Sequence, residues 1–327
     1  MKKWLGVIIA SLLLLLVACG QSENKDSQGG SGEDKFVIGI TQIVEHPSLD
    51  RATEGFMQAV KDANLNVEFV VENAQNEQNN NQLIAQKLVG DKVDLIFANS
   101  TPSAQSVLNE TTEIPIVFTS VTDPVGSKLI DSFESPGGNV TGTADLAPDT
   151  IPSTIKLIKD LGFTSVGLVY NAAEANSVAQ IDLVNEAAKE EGINTVEKTI
   201  ATSSEVKQAT EALIGSVDSI LIITDNTVVS ALESVLLVAE AENLPVFVSE
   251  LDSVERGGFA AFGFDYYDIG YEAGENAVEI LKDGKSPSEI PASYPQKLRL
   301  LINEKVLKNL GIELPEEIKE KAELIKE

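Results

Sequence analysis

The stretch FVIGITQIVEHPSLDRATEGFMQAVKDA, residues 36–63, contains the unit from which the fold is built. Its first six residues are rich in β-branched and aromatic side chains, which favour a buried strand. Ser48 then has the side chain of a helix N-cap, and Leu49, Phe56 and Val60 fall on one helical stripe. A strand followed by a helix with one apolar face predicts a parallel sheet covered by crossover helices.

The same order of strand and helix continues in two series, separated by residues 136–150. Further strands are predicted near residues 67–71, 94–98, 114–120, 165–170, 195–201, 219–224, 244–249 and 259–264. The separating stretch, PGGNVTGTADLAPDT, is rich in Pro, Gly and Asp and therefore predicts a crossover rather than a strand or helix. We thus predict an α/β protein with two doubly wound, Rossmann-like lobes, and the C-terminal tail is assigned to neither lobe.

The N-terminus predicts export. Two lysines precede an apolar run over residues 4–18, which is shorter than the ~20 residues of a membrane span and typical of a signal peptide. The run ends on LVAC, and Cys19 is the only cysteine of the chain. This ending resembles the lipobox of bacterial lipoproteins, which implies removal of residues 1–18 and lipidation of Cys19. Residues 19–35 are polar and rich in Gly and Ser, so they predict a flexible tether.

Composition and charge argue against several functions. The 327 residues carry 24 Lys and Arg against 51 Asp and Glu, a net charge of −27, and such a surface disfavours nucleic acid as a partner. The sequence contains neither a phosphate-binding glycine motif nor a nucleophile-elbow motif. Its only histidine is His46, and its only cysteine is at the predicted anchor. We therefore predict no metal, no cofactor and no enzymatic activity.

Polar clusters follow the predicted strands at their C-terminal ends. They are TQIVEHP, NSTPSAQ, TSVTDP, NAAEANS, TDNT, SELDS and DYYD. One such cluster alone is typical of a turn or a helix cap. Ligands of open parallel sheets bind at this edge, so seven clusters drawn from two lobes indicate a cleft between the lobes.

Longer runs of the sequence resemble one family. EHPSLDRATEGF, ANSTPSAQ, IPIVFTSVTDPVGSKLI, PGGNVTGTADL, TDNT and FGFDYYDIGYEAGE are similar to motifs of the substrate-binding components of ABC importers, in the branch that includes tryptophan- and tyrosine-binding lipoproteins. The resemblance covers essentially residues 36–310. It implies a type I periplasmic-binding-protein fold, in which three crossovers join two lobes that close around one small ligand.

The resemblance also sets expectations for domains and partners. Lobe 1 is expected over residues 36–143 plus about 265–290, and lobe 2 over 146–262 plus about 294–327, with hinges near 143–146 and 262–265. The expected partners are an ABC permease and its ATPase. The expected form is a monomer held by its lipid anchor on the extracytoplasmic face of the cell membrane.

The ligand favoured by these features is an aromatic amino acid, with tryptophan first and tyrosine second. Its carboxylate needs hydrogen-bond donors, and Ser100 and Thr101 offer hydroxyls beside the free backbone N–H groups of a helix predicted to begin at Pro102. The same hydroxyls could instead cap that helix, and both roles stay open at this stage.

The ligand ammonium needs a carboxylate, and the candidates at the strand ends are Asp123, Glu174, Asp225, Glu250 and Asp265. We favour Asp225 and Asp265. The side-chain pocket is assigned to Gln42, His46, Pro47 and Tyr266, where His46 could stack on a planar ring. The predicted ligand-binding residues are Gln42, His46, Ser100, Thr101, Ser120, Thr122, Glu174, Asn176, Asp225, Asn226, Glu250 and Asp265.

Other functions stay open alongside this one. The same pair of lobes suits an extracytoplasmic sensor that passes ligand occupancy to a membrane receptor, or a binder of another amino acid or a nucleoside-like ring. An exported enzyme is the third alternative, and it would require a nucleophile and base that we do not find in the sequence.

Overall fold

The computed structural model describes residues 35–326. The predicted signal peptide, the lipidation site Cys19 and all but the last residue of the predicted tether lie outside this range. Within residues 35–326, none of the helices has the length and apolar character needed to cross a bilayer.

Strands and helices alternate through most of the described chain. In order they are β1 Phe36–Gln42, α1 Pro47–Asp62, β2 Val67–Asn73, α2 Gln78–Gly90, β3 Leu95–Asn99, α3 Thr101–Glu110, β4 Ile116–Val121, β5 Val140–Ala144, α4 Thr150–Asp160, β6 Ser165–Asn171, α5 Ala175–Glu191, β7 Asn194–Ile200, α6 Val206–Glu211, β8 Ser219–Ile222, α7 Asn226–Val229, α8 Leu232–Ala241, β9 Val246–Val248, α9 Leu251–Glu255, β10 Ala260–Gly263, α10 Tyr266–Asp283, β11 Arg299–Asn303, α11 Glu304–Leu310, α12 Glu316–Lys319 and β12 Ala322–Ile325.

These strands form two sheets. The first sheet has the order β2-β1-β3-β4-β5, and all its strands are parallel. The second has the order β12-β11-β10-β9-β8-β6-β7, and only the β10–β11 pair in it is antiparallel. The predicted fold of two doubly wound α/β lobes is thus confirmed, and β11 and β12 of the C-terminal tail belong to the second sheet.

Several predicted elements are wrong in detail. The stretch 136–150 contains β5, a buried strand that its Gly and Pro content concealed. Helix α1 begins at Pro47, so His46 rather than Ser48 occupies the N-cap position. Proline suits the first helical position because its fixed φ is already helical and its missing N–H would be unpaired there.

Helix α10 returns the chain from the second sheet to the first. It packs closely against α1, and two glycines make that approach possible. A Cβ atom at Gly270 would lie 1.9 Å from the Ala52 carbonyl oxygen, and one at Gly55 would lie 2.2 Å from the Tyr267 carbonyl oxygen. The close crossing brings the first turn of α1 beside the N-terminus of α10, at the point where the chain passes between the sheets.

Candidate ligand-binding cleft

The carboxyl ends of the two sheets face each other and touch at several points. The Asn76 amide donates to the Thr227 hydroxyl over 3.0 Å, and the hydroxyls of Thr122 and Thr224 lie 3.4 Å apart. The Ser48 hydroxyl donates to Glu250 over 2.9 Å. We call the space between these two edges the cleft, with a first wall from the β1–β5 sheet and a second wall from the β6–β12 sheet. The contacts across it show that the lobes are closed.

The first wall carries buried polar atoms that lack hydrogen-bond partners among the described residues. They include the hydroxyls of Thr41, Thr101 and Ser120, the Nδ1 atom of His46 and the amide oxygen of Asn99 at the end of β3. Each of these side chains is at most 5% exposed. A buried donor or acceptor without a partner costs on the order of 1–3 kcal/mol, so a polar ligand that satisfies such atoms gains affinity from them.

Two residues of this wall have strained backbones. Ser100 has φ 106° and Ser120 has φ 55°, both in a region that favours glycine. Ser100 directly follows β3, and Ser120 is the second-last residue of β4, so both lie at the cleft edge of the first sheet. Residues held in such conformations cluster at ligand-binding sites, because the surrounding structure fixes them there.

The NSTPSAQ cluster caps a helix, which is one of the two roles that the sequence leaves open. Ser100 is the N-cap of α3, and its hydroxyl accepts a hydrogen bond of 3.4 Å from the Ser103 N–H. The helix begins at Thr101, one residue before the predicted start. The Thr101 hydroxyl remains without a partner among the described residues, so of the pair Thr101 is the side chain with free hydrogen-bonding capacity.

Gln42, also predicted to contact the ligand, is engaged inside the first wall. Its amide donates to Asp50 over 2.7 Å and to the Val44 carbonyl over 2.9 Å. Its amide oxygen accepts from Thr53 over 2.8 Å and from Asn99 over 3.2 Å. With these four bonds Gln42 positions the loop after β1 and the first turn of α1.

The second wall presents Glu174 and Asp225, whose carboxylates are already hydrogen-bonded within that wall. Glu174 accepts from the backbone and side chain of Asn226, from the backbone and side chain of Thr227, and from Asn176. Asp225 accepts from the Asn171 N–H over 2.6 Å, from Ser177 over 2.7 Å and from the Val228 N–H over 2.8 Å. Burial and the neighbouring Glu174 raise the pKa of Asp225.

Two amides border this carboxylate pair. Asn176 donates to the Thr224 carbonyl over 3.0 Å, while its own amide oxygen is buried and unpartnered among the described residues. The Asn226 amide donates to Glu174 over 2.6 Å. Burial, with a smaller effect of Arg256, lowers the pKa of His46 to about 3, so its imidazole is neutral at physiological pH.

Two further buried carboxyls accept hydrogen bonds from hydroxyls rather than from the backbone of a helix turn. Glu250 accepts from Ser48 and Ser253, and Asp145 accepts from Thr122 over 2.9 Å and from Tyr266 over 3.1 Å. Burial raises the pKa of Glu250 to about 7 and that of Asp145 to about 6. The charges of the two carboxyls also raise the pKa of Tyr266 after burial, so this phenol stays protonated and donates.

Asp265 lies at the rim of the cleft. It caps α10 by accepting from the Tyr267 N–H, and it forms an ion pair with Arg51 through three N–O distances of 3.0–3.2 Å. Asp123 lies in a turn, where it accepts from the Gly126 N–H over 2.8 Å. Neither carboxylate is buried in the cleft as Glu250 is.

The predicted residues therefore separate into two groups. Four have free hydrogen-bonding atoms in the cleft, and they are His46, Thr101, Ser120 and Asn176. The other eight are engaged by protein partners, and they are Gln42, Ser100, Thr122, Glu174, Asp225, Asn226, Glu250 and Asp265. Sequence reasoning missed Asp145, Thr41 and the Ser48–Glu250 contact. An acidic residue directly after the Thr-rich β5 was the available signal for Asp145, had that strand been predicted.

Charge in the cleft is dominated by buried carboxyls. The donors to Glu174, Asp225, Glu250 and Asp145 are hydroxyls and amides, which stabilise a carboxylate less than a cation does. Among the described residues, no group of His, Cys, Asp and Glu side chains is arranged to hold a metal ion. The arrangement therefore favours an organic ligand with a positive group and several hydrogen-bonding atoms.

Comparisons with known proteins agree with this geometry. A family model described as ABC transporter substrate binding protein matches residues 37–326. A tyrosine-binding protein of Clostridioides difficile is 43% identical over 325 residues, covering 95% of this chain and 93% of the relative.

Two solved structures are similar to this chain in different ways. An ABC domain from Streptococcus pneumonia in complex with L-Trp is 28% identical, with a TM-score of 0.85 over 90% of this chain and 100% of that chain. The ligand-free, open structure of a substrate binding protein from Clostridium difficile is 40% identical, with a TM-score of only 0.66 over 89% and 99%. The open structure has the more similar sequence but the lower TM-score. This fits the closed lobes of the present chain.

Proposed function

Since the chain belongs to the ABC transporter substrate binding protein family, we propose that it captures an aromatic L-amino acid, tyrosine or tryptophan, in the cleft and delivers it to an ABC importer. The observation that carries this proposal is the pairing of two features in one buried space. Unpartnered hydroxyls and an imidazole line the first wall, and buried carboxyls lie opposite them. A zwitterionic amino acid complements both.

The carboxylate of the ligand is assigned to the first wall. Thr101 and Ser120 have free hydroxyls, and the first turn of the ten-residue helix α3 adds backbone N–H groups and its positive dipole end. A carboxylate placed there would satisfy donors that the closed protein leaves unpaired. Ser100 contributes by holding the turn, since its hydroxyl is used as the cap.

The ammonium is assigned to Glu250, with Asp145 as its neighbour. This replaces Asp225 and Asp265, which the sequence favours, because both of those accept backbone hydrogen bonds and Asp265 also pairs with Arg51. Glu250 accepts from two hydroxyls and has a raised pKa, so an approaching ammonium would stabilise its ionised form.

The aromatic ring is assigned to the space beside His46. Its imidazole is neutral and its Nδ1 atom is unpartnered among the described residues, so it can accept from a phenol O–H or an indole N–H as well as stack on a ring. Tyrosine is included because the 43% identical relative is a tyrosine-binding protein. Tryptophan is included because a similar structure was solved with L-Trp.

Calorimetric titration of the full chain with L-tyrosine, L-tryptophan and L-leucine tests the ligand. We expect both aromatic amino acids to bind and leucine to bind at least tenfold more weakly, because it has neither a ring to stack nor a group to donate to His46. Binding of none of the three, together with binding of a nucleoside or sugar, would contradict the proposal.

Delivery to an importer further requires attachment at the membrane. We propose that Cys19 is lipidated and anchors the protein on the extracytoplasmic face. Cys19→Ala should release the protein from membranes while leaving the ligand affinity of the folded body unchanged. Retention of the variant in the detergent phase of a partition assay would contradict the anchor without affecting the ligand assignment.

A further inference from the structure

An ion-pair cluster crosses the rim of the cleft outside the buried site. Arg51, in α1, pairs with Asp265 at the N-terminus of α10 through three N–O distances of 3.0–3.2 Å. The Nε atom of the same guanidinium lies 3.8 Å from Asp252, which belongs to α9 on the second sheet. One arginine thus connects the first lobe, the crossover into α10 and the second lobe.

The Arg51 side chain also contacts an aromatic ring of α10. Its guanidinium lies 5.7 Å from the centre of the Tyr267 ring, within the range of a cation–π interaction. The Gly55 and Gly270 contacts hold α1 against α10 at this point, so Arg51, Asp265 and Tyr267 keep their places when the lobes separate. Asp252, on the other lobe, is the partner that moves.

The charges of the cluster make Arg51 favourable to closure. Closing the lobes brings Asp252 towards Asp265, and burial together with that carboxylate raises the pKa of Asp252. Arg51 opposes this effect because its charge lies between the two carboxylates. Without Arg51, the closed state would retain a repulsion that the open state lacks.

We propose that Arg51, Asp252 and Asp265 form a clasp across the rim of the cleft, and that this clasp sets how long the lobes stay closed around the ligand. The proposal rests on the proposed function for its ligand. It makes Arg51 a positioning residue that acts on the closed state, whereas the ligand is held by the buried residues of the two walls.

Two readouts on the full chain test the clasp. One is the dissociation rate of L-tyrosine and L-tryptophan by stopped flow. The other is amide hydrogen exchange of residues 48–51 and 251–255 in the ligand-free protein, which requires no ligand. The variants are Arg51→Gln, Asp252→Asn and the double substitution. Arg299→Gln is the matched control, because its ion pair with Glu323 lies within the second sheet and Arg299 is 43% exposed against 41% for Arg51.

We expect each single substitution to raise the dissociation rate about two- to fivefold, as for partly exposed ion pairs. The double substitution should add little beyond either single one, because both remove the same interaction. Exchange of both segments should rise in Arg51→Gln before any ligand is added, and Arg299→Gln should behave as wild type in both readouts.

Unchanged exchange in Arg51→Gln would overturn the clasp, and so would two single effects that multiply in the double variant. Loss of affinity with unchanged exchange would instead make Arg51 a contact of the ligand, which also overturns it. If wild type binds neither amino acid, the proposed function fails, and the exchange of the two segments still decides whether the clasp exists.

Discussion

The two walls of the cleft differ in how far their buried polar groups are hydrogen-bonded by the protein itself. The first wall presents hydroxyls and an imidazole nitrogen that have no partners among the described residues, on a backbone strained at Ser100 and Ser120. The second wall presents Glu174 and Asp225, each accepting at least three hydrogen bonds from its own lobe. The first wall therefore has several atoms that a ligand can satisfy, while the carboxylates of Glu174 and Asp225 are already satisfied by the protein.

This difference teaches that burial of a polar group does not by itself identify a binding residue. An unpartnered atom lowers stability until a ligand satisfies it, whereas a saturated carboxylate maintains the fold. Substitutions in the two walls should therefore have opposite effects. Those at the saturated carboxylates Glu174 and Asp225 should reduce stability, and those at the unpartnered hydroxyls Thr101 and Ser120 should reduce affinity.

The largest effect is expected from Asp225→Ala. The change leaves the Asn171 and Val228 N–H groups and the Ser177 hydroxyl without their acceptor, which should lower the free energy of unfolding by about 3 kcal/mol or more. Denaturant unfolding of the ligand-free protein measures it.

Asp160→Ala is the control for that experiment, because this carboxylate forms an exposed pair with Lys156. Its effect should stay below about 0.5 kcal/mol. An Asp225→Ala protein as stable as wild type but unable to bind ligand would reverse the assignment of the second wall.

The next largest effect is expected from Thr101→Val combined with Ser120→Ala. Removing two unpartnered hydroxyls should leave stability unchanged or slightly raised, while affinity for L-tyrosine and L-tryptophan falls about tenfold or more through lost hydrogen bonds to the carboxylate. Calorimetry and thermal unfolding of the same samples separate the two quantities. An equal loss of stability with unchanged affinity would make these hydroxyls structural.

Local patterns predicted much of the fold. The strand FVIGIT differs from β1 by one residue, and the stripe of Leu49, Phe56 and Val60 lies on the buried face of α1. β5 was missed because it follows a Pro-Gly-Gly turn and contains Gly142, so its composition is typical of a connection. Only its place beside β4 in the sheet makes it a strand.

The site was harder to predict, because contacts between residues distant in sequence decide which polar side chains are free and which are engaged by the protein. The strand-end clusters were visible, but most of the donors to Asp225 and Glu174 lie 48–54 residues away in sequence. The donor Ser48 lies 202 residues from Glu250. Sequence position therefore indicates which side chains reach the cleft edge, and tertiary contacts decide which of them stay free.

A smaller effect should appear in the pH dependence of binding. The pKa of Glu250 is raised from 4.5 to about 7 in the closed protein, so this carboxyl favours the folded state at low pH and loses that contribution as the pH rises through 7. An ammonium beside it lowers the pKa again, and binding then releases a proton. Affinity should rise by up to about tenfold per pH unit between about pH 5 and 7.

Titration in two buffers of different ionisation enthalpy counts the released protons. We expect up to one proton released at pH 6 in wild type and fewer in Glu250→Gln, with Glu323→Gln on the exposed β12 as the unaffected control. Proton uptake on binding would mean that no cation approaches Glu250.

The smallest effect separates the two roles of Ser100. Ser100→Ala removes the cap of α3 and keeps a Cβ atom at φ 106°, so stability should fall by about 1 kcal/mol. Ser100→Gly also removes the hydroxyl but relieves the backbone strain, and glycine is nearly as good an N-cap, so its stability should stay within about 0.5 kcal/mol of wild type. If the hydroxyl only caps, both variants should bind L-tyrosine and L-tryptophan as wild type does. If it also donates to the ligand carboxylate, both should lose affinity by the same factor despite their different stabilities, and the first wall would then contain one more binding group than the unpartnered atoms identify.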